Sequence, residues 1–152
     1  EEQQGLPDYV VGYAFSPDGK EVALIEKLRP DWQVGKYNGI GGKIEPGERK
    51  CQAMSREFGE EAGVYISADR WLNFRTEEFY PSEEESIWVH HFAVMTTSAE
   101  WDAIHTAEEE KVVKLPYPLP ATEDRNLVYN MPYLVPMAYT LLHTAPERRP
   151  AP

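Results

Sequence analysis

A run of glutamates in the first half of the chain has the clearest capacity for chemistry. Glu57, Glu60 and Glu61 have the spacing i, i+3 and i+4, which places them on one face of a helix, where like charges repel by roughly 0.2–0.5 kcal/mol per pair. Met54 and Phe58 form a separate apolar stripe on that helix. Most acidic clusters are solvated surface, but carboxylates are also ligands that Mg²⁺ takes together with substrate phosphates. The spacing alone therefore leaves two interpretations, a solvated face and a site for a divalent cation.

The segment before this helix is rich in glycine. Residues Asn38–Gly42 read Asn-Gly-Ile-Gly-Gly, which allows close approach of the backbone to a ligand. The segment fails the phosphate-loop patterns GxxxxGKS/T and GxGxxG, because Ile44 stands where the last glycine of the second pattern should be. By itself this segment is a weak indication of a phosphate site.

The glycine-rich segment and the helix together resemble the Nudix box, GX5EX7REUXEEXGU, in which U is a bulky apolar residue. The agreement extends over 23 residues, about a seventh of the chain. The nine positions that agree are Gly42, Glu48, Arg56, Glu57, Phe58, Glu60, Glu61, Gly63 and Val64. The resemblance implies an α/β/α sandwich around a mixed β-sheet, with the box as loop, helix and loop.

The same resemblance implies hydrolysis of a nucleoside diphosphate linked to another moiety, with Mg²⁺ as the metal and Mn²⁺ as a substitute. Such a cation would neutralise the phosphoanhydride oxygens, orient the diphosphate and lower the pKa of the attacking water. Without it the acidic cluster would repel the substrate, so we expect strict metal dependence. The implied metal ligands are Glu57, Glu60, Glu61 and the carbonyl oxygen of Gly41.

The implied catalytic residues are Glu57, Glu60, Arg56 and Glu48. Arg56 would pair with Glu48 and so orient the carboxylates around the metal. The general base stays open, since some family members use the first glutamate of the REUXEE motif, here Glu57, and others use a glutamate from a later loop. Two acidic trios, 83–85 and 108–110, are candidates for the later glutamate, although such trios are more often solvated surface.

A second resemblance concerns the substrate. Lys36–Lys43 is similar to the W-N-G-F-G-G-K stretch of Nudix enzymes that hydrolyse oxidised purine nucleoside triphosphates, with Tyr37 in place of tryptophan. Asn38 would contact the base, whereas the alternative interpretation is that it serves an Asn-Gly turn. The residues implied for substrate binding are Asn38, Gly42 and Lys43. Trp32, Tyr37, Trp88 and Trp101 could stack on a base, although such aromatics are more often core.

The sequence does not fix the base. The paired acidic base readers of the oxidised-purine group have no counterpart near Leu115–Thr122, so a nucleoside triphosphate or modified nucleotide is the broader prediction. Dinucleoside polyphosphates and nucleotide sugars are alternative substrates. A different class of function is a sensing module that binds a nucleotide without cleaving it. The chain keeps all four glutamates of the box, which favours the enzyme.

The composition of the 152-residue chain excludes several other classes. The formal charge is −11, from 15 Lys and Arg against 26 Asp and Glu. A chain this acidic lacks the basic surface that binding to a nucleic-acid polymer requires. Cys51 is the only cysteine, so an intrachain disulfide is excluded and the cytoplasm is the expected location. No apolar run approaches the ~20 residues of a membrane span. The expected partner is a nucleotide, and a homodimer stays open.

Local composition outlines the elements that must position these groups. Strands are predicted over Asp8–Ser16, Glu21–Lys27, Arg70–Tyr80 and Ser86–Met95, the last in the middle of a sheet. Helices are predicted over Arg49–Ala62, Ala99–Glu110 and Tyr133–His143. Arg29–Gly42 is predicted as a loop, and Leu115–Ala121, with three prolines, as extended chain or loop. Strands and helices without regular βαβ alternation predict one α/β domain over 1–152 with a mixed sheet, frayed at approximately 1–6 and 146–152.

Two histidines follow each other on the last predicted strand. His90 and His91 must point to opposite faces of the sheet, so they cannot form a paired metal site. A core or surface histidine with satisfied hydrogen bonds is the better interpretation of both.

Overall fold

The computed structural model describes residues 8–119 and 131–144. The ends predicted as frayed, 1–6 and 146–152, lie outside these described residues. Within them, seven strands form one mixed sheet that is flanked by helices. The strands are β1 (Tyr9–Phe15), β2 (Glu21–Glu26), β3 (Tyr37–Asn38), β4 (Ile40–Lys43), β5 (Leu72–Phe79), β6 (Ile87–Met95) and β7 (Lys111–Pro116). The α-helices are α1 (Lys50–Ala62), α2 (Ser98–Ala103) and α3 (Met131–Thr144).

β6 lies inside the sheet, as its nearly continuous apolar sequence predicts. The order β3-β2-β1-β6-β5 places it between β1 and β5. β1 and β6 run parallel, with Val11 beside His91, whereas the other described strand pairs are antiparallel. β1 and β2 form the predicted hairpin, and Gly19 in its turn has φ of 72°, a left-handed conformation that favours glycine.

Two apolar clusters cover the two faces of the sheet, which confirms the predicted α/β/α arrangement. Val10 and Phe92 pack with Phe58 of α1 on one face. Tyr13 packs with Leu134 of α3 on the opposite face. Neighbouring residues of a strand point to opposite faces, so β1 contributes to both clusters. Among the described helices, none has the length and apolar character that crossing a membrane requires.

The two long predicted helices are confirmed. α1 begins one residue after the predicted start and ends at the predicted residue. Gly63 follows with φ of 77°, and its N–H donates to the carbonyl of Gly59, which closes the helix. α3 covers the predicted closing helix over Tyr133–His143 and extends it at both ends.

The loop predicted over Arg29–Gly42 is wrong in part, because the segment contains a 3₁₀ turn and two short strands. β1 and β2 pair near their turn and then separate, and the glycine-rich segment enters the gap between them. β3 pairs with β2, and β4 pairs with β1. Gly39 joins the two strands, and a Cβ atom there would lie 2.5 Å from the side chain of Val11. Strands of two and four residues, with two glycines, carry no alternating pattern from which they could be predicted.

The helix predicted over Ala99–Glu110 is also wrong beyond Ala103, where α2 ends. Thr97 caps the start of α2, since its hydroxyl accepts the N–H of Glu100. The residues that follow include three glutamates, which are good helix formers, and this composition favoured a longer helix.

Hydrogen bonds to the end of α1 replace the missing helical turns. The N–H of His105 donates to the carbonyl of Ala62, and the N–H of Ala107 donates to the carbonyl of Glu61. Both carbonyls belong to the last turn of α1, where helical partners are absent. The loop after α2 is therefore fastened beside the glutamate face of α1.

β7 was not predicted as a strand. It pairs with β2 along the whole length of β2, although the neighbouring prolines favour extended chain or loop. Pro116 is its last residue, a position that proline tolerates on a strand at the sheet edge.

Candidate active site

Arg56 connects most of the glutamates of α1 and of the loop before it. Its Nε and Nη2 donate to the two oxygens of Glu48 at 2.7 and 3.0 Å, a two-point contact that fixes the orientation of both groups. Nη2 also donates to the carbonyl of Lys43 at 3.0 Å. The hydrogen bonds from Arg56 hold the pKa of Glu48 below its usual range. The pair therefore ties the loop to the helix through two ionised groups.

The third nitrogen of Arg56, Nη1, lies between two further carboxylates. It is 3.1 Å from Oε2 of Glu57 and 3.2 Å from Oε1 of Glu60. The side chain of Glu57 is 12% exposed and that of Glu60 is 48% exposed. The pair with Glu60 is an exposed i, i+4 pair, which contributes a few tenths of a kcal/mol at most.

Glu61 lies in a more acidic environment. It borders a cleft formed with residues 106–110. Partial burial and the negative charges of Glu57 and Glu110 raise the pKa of Glu61 to about 7. Partial burial also raises the pKa of Glu57, against the opposing effect of Arg56. The two carboxylates thus carry charge that their surroundings do not fully compensate.

The acidic trio after α2 is the one that approaches Glu61. Glu110 pairs with Nζ of Lys27 at 3.3 Å, and Glu109 pairs with Arg29 at 3.1 Å. The other trio, 83–85, lies between β5 and β6 in the chain, and none of its residues lines the cleft beside Glu61. Fastening of the 105–107 backbone to α1 is what brings the later trio to the glutamate face.

Close backbone approach explains two glycines of β4. A Cβ atom at Gly42 would lie 2.5 Å from Cδ and Oε1 of Glu57. A Cβ atom at Gly41 would overlap the carbonyl of Val10 on β1. β4 therefore fits between β1 and α1 because these positions have no side chain.

A groove of about 900 Å³ opens beside these glycines. Val11 of β1 and His91 of β6 contribute to its floor, and residues 75–79 of β5 line its far side. Trp32 lines the near side and is 49% exposed, so its ring offers an aromatic surface to a ligand. The glycines at the near end are Gly39, Gly41 and Gly42.

The structure separates the three residues implied for substrate binding. Asn38 lines the groove, where its Oδ1 accepts the N–H of Gly39 at 2.7 Å, and the alternative of an Asn-Gly turn is wrong, because Gly39 joins β3 to β4 without a turn. Its Nδ2 donates to Oε1 of Gln33 at 3.4 Å. Gly42 also lines the groove, whereas the side chain of Lys43 is exposed and does not belong to the described lining. Contact of Asn38 with a base stays a prediction.

Among the four aromatic candidates, Trp32 is the one that lines the groove. Trp101 is 7% exposed and belongs to the core cluster under α1. Tyr37 packs against the opposite core cluster, and Trp88 is exposed on β6. The structure thus reduces four stacking candidates to one.

Sequence reasoning missed a polar group in the groove. Glu77 and His91 both line it, and Nδ1 of His91 is 3.1 Å from the hydroxyl of Tyr13. His91 is only 3% exposed, so it is a core histidine, but the prediction that its hydrogen bonds are satisfied is wrong, because its Nε2 has no hydrogen-bond partner among the described residues. Its proximity to Glu77 depends on the register between β5 and β6, for which the sequence carries no signal.

The oxygen donors of α1 fit a divalent cation. In residues 8–119 and 131–144, no three His, Cys, Asp or Glu side chains lie close enough to hold a metal ion by themselves. Glu57 and Glu61 nevertheless provide two partly buried, mutually repelling carboxylates. Mg²⁺ binds through one or two carboxylates together with substrate phosphates, so this pair is sufficient. Glu60 would have to leave Arg56 to join them.

Residues 6–127 match the family model described as the NUDIX domain. The chain belongs to the Nudix family. The match extends over most of the chain and confirms the resemblance found in the glycine-rich segment and α1. Nudix hydrolases generally use divalent metal ions, in keeping with the donor set described above.

A curated relative and several solved structures are similar to the chain. The CTP pyrophosphohydrolase of Escherichia coli K12 is 33% identical over 63 residues, which are 41% of this chain and 46% of the relative. The match thus spans less than half of that relative's length. A Nudix-family hydrolase from Clostridium perfringens aligns with a TM-score of 0.68 and 19% identity, covering 91% of this chain and 99% of that chain.

A third similar protein was crystallised with a nucleotide. The Nudix domain of Shewanella oneidensis NrtR, in complex with ADP-ribose, aligns with a TM-score of 0.63 and 15% identity. The alignment covers 96% of this chain and 90% of that domain. At such identities the structural likenesses support the Nudix fold.

Proposed function

We propose that the chain hydrolyses a phosphoanhydride bond in a nucleoside triphosphate or a modified nucleotide, with Mg²⁺ as the cofactor. One observation carries the proposal: Glu57 and Glu61 are partly buried, mutually repelling carboxylates of α1, and Glu57 packs against Gly42, which lines the groove. Carboxylates whose charges repel each other are suited to a cation that also binds phosphate. The pyrophosphohydrolase relative supports the same reaction class.

Glu57 and Glu61 would hold the metal. When bound, a divalent cation neutralises the diphosphate and lowers the pKa of the attacking water. Arg56 and Glu48 are positioning residues, because their two-point contact holds the loop and α1 together. We place the nucleoside in the groove, with Trp32 stacked on the base.

Two residues are candidates for the general base. Glu57 is the choice within α1, but Arg56 donates to it, which lowers its basicity. Glu108 is the choice in the later loop, since its neighbours Glu109 and Glu110 are engaged in ion pairs. Glu108→Gln and Glu57→Gln, compared by kcat at several pH values, would distinguish the two: the base variant loses the alkaline rise in kcat.

A nucleotide panel tests the function. Purified protein is incubated with CTP, ATP, GTP, ADP-ribose and a dinucleoside polyphosphate, with Mg²⁺ or with excess chelator, and the products are separated by chromatography. We expect hydrolysis of at least one nucleotide with Mg²⁺ and none in chelator. Glu61→Gln should lower kcat/KM at least about tenfold. Asp102→Asn, an exposed acid on α2, is the matched control and should not change it.

Two outcomes would contradict the proposal. If turnover in chelator equals turnover with Mg²⁺, the carboxylate pair Glu57 and Glu61 does not serve catalysis by binding a metal. Nucleotide binding without product from any nucleotide would identify the chain as a sensing module instead of an enzyme.

A further inference from the structure

The far side of the groove differs chemically from its glycine end. Glu77, Glu78 and Glu85 line this side, with Arg75 as the nearby cation. A surplus of carboxylates disfavours a phosphate group, so the diphosphate belongs at the glycine end of the groove. The far side is suited to a neutral or positively charged part of the ligand.

Glu77 is held in one orientation on this side of the groove. Its Oε2 accepts the Nε of Arg75 at 2.9 Å and the hydroxyl of Tyr133 at 3.2 Å. Partial burial opposes its ionisation, but the hydrogen bond from Arg75 and the proximity of His91 outweigh burial and lower the pKa of Glu77. The ionised carboxylate is 20% exposed and can accept about four hydrogen bonds. It is therefore an oriented acceptor at the groove surface.

A buried histidine lies beneath this carboxylate. The side chain of His91 is 4% exposed, and its Nε2 is 3.3 Å from Oε1 of Glu77. This contact is an ion-pair distance and not a hydrogen bond, and within the described residues Nε2 is a buried polar atom without a hydrogen-bond partner. Burial lowers the pKa of His91, so the ring is neutral. Since Nε2 faces a carboxylate, it carries the ring proton, and Nδ1 accepts the hydroxyl of Tyr13.

A buried N–H without an acceptor is costly and requires an explanation. A small rotation of the Glu77 carboxylate towards the His91 Nε2–H would supply the missing acceptor. A ligand that donates to Glu77 from the groove would hold the carboxylate between the two donors. The missing hydrogen-bond partner of His91 Nε2 is thus explained if the ligand completes the arrangement.

We propose that Glu77 is a specificity-determining residue that accepts a hydrogen bond from the amino group of a nucleobase, with His91 as its positioning residue. This inference rests on the proposed hydrolysis of nucleotides and names the class of base. Carboxylates accept well from exocyclic amino groups such as that of cytosine, and a keto oxygen at the same position would be repelled. The substrates are therefore nucleotides with amino-bearing bases, CTP and ATP rather than UTP and ITP.

The first experiment uses the unmodified protein. kcat/KM is measured with Mg²⁺ for CTP against UTP and for ATP against ITP, pairs that exchange an amino group for a keto group on the same ring. We expect the amino member of at least one pair to be preferred by about tenfold or more, because charged acceptors discriminate strongly against a lost donor. Equal rates within both pairs, or preference for the keto members, would overturn the inference while leaving the hydrolase function intact. No hydrolysis of any nucleotide would overturn the proposed function itself.

Variants then test the two residues. Glu77→Gln retains the shape but presents an N–H, so the preference should fall at least about tenfold, mainly through KM, while kcat changes little. His91→Asn should reduce the preference in the same direction, whereas a structural role would lower both members of each pair equally. Asp102→Asn is the control, and the melting temperature of each variant is measured. An unchanged preference in folded Glu77→Gln would overturn the assignment. If that variant does not fold, the preference of Glu77→Asp is compared with that of the unmodified protein, and an unchanged preference there would overturn the assignment as well.

Discussion

Gly42 of β4 and Glu57 of α1 are in direct contact, so closely that a Cβ atom at position 42 would lie 2.5 Å from the Glu57 carboxyl carbon. Real Cβ atoms essentially never lie so close to a non-bonded atom, so any side chain at this position would displace the carboxylate. The glycine therefore sets the position of Glu57 relative to the groove. A glycine of the Nudix box is in this way explained by contact with a glutamate of the same box.

We predict that Gly42→Ala lowers kcat/KM at least about tenfold, because it displaces Glu57 from the metal position. Gly59→Ala is the matched control, since a Cβ atom there meets nothing closer than 3.8 Å. In the interior of α1 that control should stabilise the protein by roughly 0.5–1 kcal/mol and retain activity. Steady-state kinetics and urea unfolding check both. Full activity of Gly42→Ala would show that Glu57 tolerates displacement.

The pairing of Arg56 with Glu48 predicts a coupled loss of stability. Arg56→Gln and Glu48→Gln should each destabilise the protein, and the double variant should lose less than the sum. A charge-assisted two-point contact predicts a coupling energy of about 1–2 kcal/mol in a double-mutant cycle of unfolding, reduced from a fully buried pair by partial exposure. Arg56→Lys should not restore activity, because lysine cannot make the two-point contact. If the double variant loses as much unfolding free energy as the two single variants together, the pairing of Arg56 with Glu48 is contradicted.

The sequence was sufficient to predict the hairpin of β1 and β2, α1 with its glycine end, and the central β6. Each has a strong local pattern, either continuous β-forming residues or helix formers before a glycine. β3, β4 and β7 were missed because their strands form through pairing with β1 and β2, not through their own composition. The end of α2 was misplaced for the same reason, since the bonds from His105 and Ala107 to α1 are tertiary.

The candidate site was likewise predicted in part. The helical spacing of the α1 glutamates predicts that they share one face, and the resemblance to the Nudix box identifies them as metal ligands. The contact of Glu61 with the 106–110 loop, and of Glu77 with His91, depends on tertiary placement and strand register. Those contacts determine which glutamate of α1 has a raised pKa and which glutamate of β5 is oriented at the groove, so they could only be found in the structure.

The buried His91 predicts a change of stability with pH. Burial lowers its pKa to about 4, against the opposing charge of Glu77, whereas in the unfolded chain the pKa is about 6.5. Between these values the unfolded chain binds a proton that the native state does not, so the stabilising contribution is complete above pH 6.5 and is lost as the pH falls towards 4. The stability advantage over His91→Asn should therefore shrink from pH 7 to pH 5. Urea unfolding of both proteins in chelator at each pH measures this advantage.

Glu60 and Glu61 should respond in opposite ways to loss of charge in the metal-free protein. Helical spacing alone predicts that either substitution relieves repulsion, but Arg56 Nη1 is paired with Glu60. Glu60→Gln should therefore lose a few tenths of a kcal/mol in chelator. Glu61 is surrounded by the charges of Glu57 and Glu110, so Glu61→Gln should leave the metal-free protein as stable as before or more stable.

Addition of Mg²⁺ should make the unmodified protein more stable than Glu61→Gln, the reverse of the order in chelator. The unmodified protein gains stability by mass action, about 2.7 kcal/mol at a concentration one hundred times Kd, and Glu61→Gln should gain less because it lacks one ligand. Thermal melts of the unmodified protein, Glu61→Gln and Asp102→Asn are compared in chelator and across a Mg²⁺ titration. The curves of the unmodified protein and Asp102→Asn should rise together and cross that of Glu61→Gln. A solvated acidic face predicts instead that all three respond equally to Mg²⁺. If Glu61→Gln melts well below the unmodified protein in chelator, Glu61 stabilises the fold itself, and its assignment to the metal is wrong.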